Sequence, residues 1–211
     1  MQVKGKMSLS SRLWLDRQKN DQYVKQAHKD GYRCRAVYKL QELDAKFQLI
    51  RKSKCIIDLG AAPGGWSQYL AEKSSDDTKI AAIDLLNFDP IEKVQQFIGD
   101  FEDPENQRAI IDYLGQKADL IVSDMAPSTV GHQQTDHLRI MRLVATAYEF
   151  TKNMLNPGGS FVAKIFMGGK EKQLLEQMKK DFDMACFFKP KSSRSLSVEI
   201  YVVGKGFKKC N

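Results

Sequence analysis

From Arg35 onward the apolar residues Ala36, Leu40, Leu43 and Phe47 recur at spacings of three and four, the period of one helix face. The pattern then shortens to continuous apolar runs separated by helix-like stretches. Residues 55–59 read as a strand, and a helix over about 66–73 follows a glycine-rich turn. Residues 80–85 form a second strand and 96–98 a weak third. Asp103-Pro104 has the form of an N-cap with proline at the first helical position, opening a helix to about Leu114. Residues 120–122 are a further strand, and 136–155 a long amphipathic helix that Asn156-Pro157-Gly158-Gly159 stops. Residues 160–166 are a strand, 170–182 a helix and 198–203 a final strand.

Strand and helix alternate, and the strands are apolar throughout instead of at every second position. That combination predicts an α/β doubly wound domain, its parallel sheet covered by helices on both faces. Residues 1–20 are polar, with Trp14 and Leu15 as clear anchors. The chain is expected to form a single domain over 1–211, of which 1–30 is a basic N-terminal extension, partly flexible.

Composition agrees with a globular chain: 42% of the 211 residues are hydrophobic, and no apolar run approaches the ~20 residues of a membrane-spanning helix. Residues 1–11 lack the apolar core of a secretory signal. Cys34, Cys55, Cys186 and Cys210 are far apart with no C-x-x-C pair, which argues against a disulfide framework or zinc knuckle and suits a reducing cytoplasm. Charge is unevenly spread. Residues 1–54 hold 14 basic and 5 acidic residues, 55–163 hold 8 and 16, and 164–211 hold 11 and 5. Two basic ends around an acidic middle suit a polyanionic partner, although solvated surface lysine explains the same numbers.

The turn in Asp58-Leu59-Gly60-Ala61-Ala62-Pro63-Gly64-Gly65-Trp66-Ser67 carries the most chemistry. Gly60, Gly64 and Gly65 allow a tight bend and close approach of a ligand to the main chain, at the carboxyl end of a strand where ligands of open α/β sheets bind. The G-x-x-x-G-G spacing is neither G-x-G-x-x-G nor a P-loop. Asp84 ends the next strand and suits a ribose diol, and Asp100 ends the one after and could accept from an adenine amine. A carboxylate-lined crevice fits S-adenosylmethionine, whose sulfonium and ammonium are both cationic. Each acid alone could simply cap a turn. Trp66 is either a core aromatic or a cofactor wall.

Asp124 ends the strand at 120–122. Lys164 lies within the apolar strand Phe161-Val162-Ala163-Lys164-Ile165-Phe166, and Glu199 within Val198-Glu199-Ile200-Tyr201. A buried ammonium needs a partner. Lys164 must snorkel, reach a pocket or pair with a carboxylate, and Glu199 could mark an edge strand. The expectation is that the two sit on strands flanking the one that carries Asp124, with Glu199 on the face of Tyr201 and Val203. His28, His132 and His137 form no ligand set and read as loop surface, so no metal is expected.

Taken together these motifs closely resemble the FtsJ/RrmJ (RlmE) family of ribosomal RNA 2'-O-ribose methyltransferases. The likeness rests on R-x-R-A-x-x-K-L at Arg33–Leu40, D-L-G-A-A-P-G-G-W-S-Q at Asp58–Gln68, S-D-M-A-P at Ser123–Pro127, P-G-G-S-F-V-x-K at Pro157–Lys164 and S-S-R-x-x-S-x-E at Ser192–Glu199. It covers about residues 11–203. The resemblance implies a Rossmann-like S-adenosylmethionine-dependent methyltransferase fold with a mostly parallel sheet. It also implies a Lys39, Asp124, Lys164, Glu199 tetrad, and cofactor contacts at Gly64, Trp66, Asp84, Asp100 and Asp124. The implied substrate is the 2'-hydroxyl of a uridine in the A loop of 23S rRNA, in the assembled 50S subunit. Cys34 stands where a serine is expected and Ser128 where an asparagine is commoner. Ser195-Leu196-Ser197-Val198 is less basic than the family pattern.

Methyl transfer to a ribose hydroxyl requires an in-line approach and loss of the hydroxyl proton. Lys164 is the candidate proton acceptor, with the alternative that it stays charged and polarises the hydroxyl. Arg33 and Arg35 beside Lys39, and Lys189, Lys191 and Arg194 near Glu199, are candidates for RNA contact. Methylation of tRNA or another RNA, and a non-catalytic RNA-binding assembly factor, are the competing functions. The domain looks self-sufficient as a monomer.

Overall fold

The computed structural model describes residues 21–127, 131–169, 171–194 and 197–208. Trp14, Leu15, Ser128, Ser195, Leu196 and Cys210 therefore lie outside the described residues.

The elements run α1 (Gln22–Lys29), α2 (Val37–Phe47), β1 (Cys55–Leu59), α3 (Gly65–Lys73), β2 (Lys79–Asp84), β3 (Val94–Ile98), α4 (Pro104–Leu114), β4 (Ala118–Ser123), α5 (Gln133–Met154), β5 (Leu155–Phe166), α6 (Glu171–Asp181), β6 (Phe182–Phe188) and β7 (Glu199–Phe207). One sheet holds all seven strands in the order β3-β2-β1-β4-β5-β7-β6. β1 pairs in parallel with β2 and β4, which extends outward to β3 and β5. The chain leaves β1 toward one edge first and later returns to its other side. That topological switch opens a crevice at the carboxyl ends of β1 and β4.

Strand residues alternate between two apolar layers. Ile57, Ile83, Ile121, Phe161 and Ala163 face one cluster with α4, α5 and α6, whereas Ile56, Ile80, Val122, Val162 and Tyr201 face the other with α2 and α3. Both faces are covered, so β1 is buried at every position and, Asp58 apart, its sequence is apolar without alternation. Lys164 shares the parity of Val162, and Glu199 that of Tyr201. Both thus fall on the α2–α3 face.

Three features differ from the sequence expectation. First, α1 was not anticipated; Asp21 caps it by accepting from the Tyr23 N–H at 3.0 Å, and it lies inside the segment read as an extension. Second, β7 runs antiparallel to both β5 and β6; this agrees with the mostly parallel sheet that the resemblance implies, whereas the strand pattern alone read a parallel one. β6 was not among the expected strands, although Met184–Phe188 is an apolar run; it pairs with β7, which continues past Val203 through Gly204 and Gly206 to Phe207. A Cβ on Gly204 would lie 2.8 Å from the Phe182 ring, so glycine there lets the hairpin close against the α6–β6 junction. Third, the neighbours of β4 are β1 and β5, so Lys164 flanks the Asp124 strand but Glu199 does not. Glu199 opens β7, one strand further out. The N-P-G-G segment ends α5 at Met154 as expected, but it also enters β5, through a register irregularity between Ala118 and Leu120.

Candidate active site

A cavity of about 470 Å³ occupies the switch-point crevice. Its acidic lining is Asp84 from the end of β2, Asp100 and Glu102 from the segment after β3, and Asp124 from the loop after β4. Backbone donors hold these carboxylates in place. The Ala62 and Leu86 N–H groups donate to Asp84 at 3.0 and 2.9 Å, and the Glu102 N–H donates to Asp100 at 2.9 Å. Leu85 and Leu86 also line the cavity although each is 68% exposed, an apolar wall of the kind that takes a flat ring. Carboxylates for hydroxyls and cationic groups, set beside apolar surface for a purine, fit S-adenosylmethionine.

The floor is backbone. Gly60 has φ +77°, and a Cβ there would lie 2.7 Å from the Met125 Cα, so the β1 turn and the β4 turn touch. Gly60→Ala should lower stability by about 2 kcal/mol through left-handed strain alone. It should also weaken S-adenosylmethionine binding about tenfold by separating the two turns, a loss of about 1.4 kcal/mol. Thermal melting and calorimetric titration check this, and unchanged affinity would show that the contact is not needed.

Gly64 and Trp66, expected at the cofactor, do not line this cavity. Gly64 is the left-handed N-cap of α3, packed against Arg33 and Phe88. The Trp66 indole is buried; it donates to the Ala36 carbonyl at 2.7 Å and packs on Tyr201. An indole on the first turn of α3 points into the α2 layer, which explains its placement in the core. Conversely, α5 contributes Arg139, Arg142 and Leu143 to the cavity wall, and Arg142 pairs with Glu102 at 3.4 Å. No sequence signal marked them, because helix periodicity does not say which loop a helix will face.

Beneath the turn lies Asp58, fully buried. Ser67 donates to one of its oxygens at 2.6 Å, while the other has no partner among the described residues. Burial, and next the charges of Asp124 and Asp84, push its carboxyl up to about 7 despite the serine hydrogen bond.

The tetrad residues meet on the α2–α3 face. Lys164 Nζ, buried in β5, donates to the Asp124 backbone carbonyl at 2.5 Å and pairs with Asp124 Oδ1 at 3.1 Å. Lys39 in α2 pairs with Glu199 at 2.7 Å, and Ser193 Oγ donates to the same Glu199 oxygen at 3.0 Å. Tyr201 joins the two pairs. Its O–H donates to Asp124 Oδ1 at 2.6 Å, and Lys39 Nζ lies 5.9 Å from its ring centre. Burial would raise the Asp124 carboxyl, but the Lys164 and Lys39 charges and the Tyr201 hydrogen bond outweigh it and hold the group below its ordinary value. Burial and the two carboxylates push the Tyr201 phenol well above its own, so its hydroxyl remains a donor. Tyr201 was missed as a site residue. The available signal was a tyrosine at strand parity with Glu199, since a buried phenol seeks a polar partner.

The candidate RNA residues divide. Arg33 donates to the Asp89 and Pro90 carbonyls and lies over Phe88, so it clamps a loop. Lys189 donates to the Ser197 carbonyl at 2.8 Å, and Lys191 is exposed. Arg35 and Arg194 line a second cavity of about 230 Å³ with Lys39, Ser197 and Glu199. His137 corrects the loop-surface expectation: it is buried in the first turns of α5, its Nδ1 3.0 Å from the Phe166 carbonyl and its ring against Gly168. The Cys34 Sγ occupies the space that a Gly65 side chain would need. Among the described residues no group of three or more His, Cys, Asp or Glu could hold a metal ion.

Known proteins match this arrangement over most of the chain. The FtsJ-like methyltransferase family pattern covers residues 32–207. A ribosomal RNA large subunit methyltransferase E from Sphingopyxis alaskensis is 50% identical over 201 residues, covering 95% of this chain and 87% of that protein. The protein of that name from Zymomonas mobilis is 50% identical over 199 residues, covering 94% and 90%. A crystal structure from Plasmodium falciparum, assigned as a ribosomal RNA methyltransferase, superposes with a TM-score of 0.74 at 32% identity, covering 83% of this chain and 98% of that one.

Proposed function

The chain belongs to the FtsJ-like methyltransferase family, and on that premise we propose that it transfers the methyl group of S-adenosylmethionine to the 2'-hydroxyl of a uridine in the A loop of 23S rRNA, within the 50S subunit. Its kinship with enzymes that are half identical to it makes it an rRNA methyltransferase. The methyl donor, the nucleotide and the subunit context are the parts proposed.

The observation that carries the reading is the double engagement of Lys164 by Asp124. When bound, S-adenosylmethionine supplies an electrophilic methyl group on a sulfonium; Asp84 would take its ribose hydroxyls and Asp100 its adenine amine. Asp124 lies at the border between the cofactor cavity and the tetrad. Two of the three polar directions of the Lys164 nitrogen are occupied by the Asp124 carbonyl and carboxylate. The third is left for the ribose hydroxyl. With its ammonium proton released to solvent beforehand, the neutral Lys164 amine would have a lone pair there to accept the hydroxyl proton as the oxygen–methyl bond forms and the methyl–sulfur bond breaks. Glu199 orients Lys39 beside it. Tyr201 acts through Asp124 as a positioning residue. Such fixed placement is the protein's main contribution to an in-line displacement.

Arg35, Lys189, Lys191 and Arg194 are the proposed RNA contacts, whereas Arg33 holds the Asp89–Pro90 loop. No described helix is long and apolar enough to cross a membrane, and a 50S substrate places the proposed site of action in the cytoplasm, with the chain acting as a monomer.

Labelled-methyl transfer to 50S subunits, free 23S rRNA and tRNA, with the modified nucleotide mapped, tests the assignment. Label at one uridine 2'-oxygen of 23S rRNA, strongest with 50S subunits, is expected. Label mainly on tRNA would move the substrate, and no transfer in a single turnover would leave a non-catalytic assembly factor.

A further inference from the structure

The cavity between Arg35 and Arg194 adjoins the reacting centre, because Lys39 and Glu199 line it as well. A carboxylate already engages both guanidiniums. Asp21 Oδ2 accepts from Arg35 Nη1 and lies 3.4 Å from Arg194 Nε, while its Oδ1 accepts from the Tyr23 N–H at the start of α1. The Asp21 side chain is 9% exposed and that of Arg194 42%. Arg35 is braced further by the Ser192 carbonyl and by the Tyr23 ring. Without Asp21, three cations would face Glu199 alone across the pocket. Burial and the nearby Arg194 charge both disfavour the Arg35 cation, so the pair calls for an anion. An oxyanion held by two arginines reproduces how guanidiniums hold a phosphate.

We infer that Arg35 and Arg194 form a subsite for a backbone phosphodiester of the RNA, next to the target ribose, and that Asp21 is its resident competitor, displaced when the phosphate enters. The inference rests on the RNA-methylation reading above. Binding then exchanges one anion for another, and Asp21 lowers affinity for any RNA that fails to deliver a phosphate to this spot.

Asp21→Asn separates the two roles of the residue, since asparagine caps a helix as well as aspartate does but carries no charge. Asp21→Ser, another good cap, is the second variant. Fluorescence anisotropy with a labelled RNA hairpin, from about 50 to 200 mM salt, reads the affinity and its salt slope. Both variants should bind about fivefold tighter at low salt, with a slope steeper by about one phosphate contact. The gain should vanish in an Arg194→Gln background. Inorganic phosphate should compete more strongly against the variants than against the wild type. Equal or weaker RNA binding by both variants, with melting temperatures matching the wild type, would make Asp21 a structural clip and overturn the inference. Failure of the wild type to methylate any rRNA would overturn the underlying reading instead.

Discussion

Lys164→Ala should lower the single-turnover rate of methyl transfer about a thousandfold, the usual scale for a positioned proton-transfer group, while S-adenosylmethionine binds as before. The side chain reaches Asp124 from β5 on the tetrad face, and the residues proposed for the cofactor ribose and adenine lie on the far side of Asp124. Removing Lys164 also withdraws the main charge that holds the Asp124 carboxyl down against its burial. Lys39 and the Tyr201 hydroxyl remain to anchor that carboxylate, so the fold should persist. Lys164→Arg sharpens the result. Arginine keeps the charge but does not give up a proton in proteins, so a proton acceptor predicts an arginine variant as inactive as alanine. Substantial activity in Lys164→Arg would assign Lys164 to charge alone, and substantial activity in Lys164→Ala would remove it from the mechanism. Calorimetric titration with S-adenosylmethionine separates either outcome from loss of the cofactor.

Asp58→Asn should make the protein more stable than wild type by an amount that grows with pH. In the fold the Asp58 carboxyl is pushed from its ordinary 3.8 up to about 7. Between those values the native state holds a proton that the unfolded chain releases, so the unfolded state binds fewer protons and stability falls as pH rises. The contribution is fully present below about pH 4 and lost once pH passes about 7. The full displacement is worth about 4 kcal/mol, of which about 3 kcal/mol falls between pH 5 and pH 8. Asparagine is isosteric with the protonated carboxyl and does not titrate, so other groups cancel in the comparison. The melting temperature of the variant minus that of the wild type should widen by roughly 9 °C from pH 5 to pH 8. A difference that stays flat would mean Asp58 is ionised throughout, or that its unpartnered oxygen is satisfied in solution. Its burial beneath the Gly60 turn, between Asp84 and Asp124, makes this the residue through which the acidic crevice bears on stability.

Much of the molecule was legible without coordinates wherever local chemistry and burial agree. The β1 turn, the Asp103-Pro104 start of α4 and the apolar runs of β1, β2, β4 and β5 each carry their own signal. Asp84 and Asp100 were placed correctly at the crevice, because a residue at the carboxyl end of a parallel strand has few other places to go. Trp66 was ambiguous because an indole serves a core and a ligand pocket equally well. Its hydrogen bond to Ala36, on a different element, places the indole in the α2–α3 layer. Arg35 and Arg194 read as two separate candidates for RNA contact, with nothing to bring them together. Their engagement by Asp21 joins residues up to 173 positions apart in the chain, which no local pattern records. His137 was misread as surface for the same reason, since its partner carbonyl belongs to β5.

The sequence by itself determined the α/β class and the acidic residues at the carboxyl ends of the central strands, which follow from residue type and apolar patterning. The grouping of Lys39, Asp124, Lys164 and Glu199 came instead from the resemblance of the motifs to the FtsJ family. Only the tertiary structure decided that β7 enters the sheet reversed between β5 and β6, so that Glu199 reaches Lys39 from one strand beyond the neighbour of β4. It likewise decided that Tyr201 bridges the two ion pairs and that Asp21 sits between the arginines. Strand order and the docking of α1 and α2 are set by which surfaces bury one another across long stretches of chain, and that competition leaves no trace in any short window of residues.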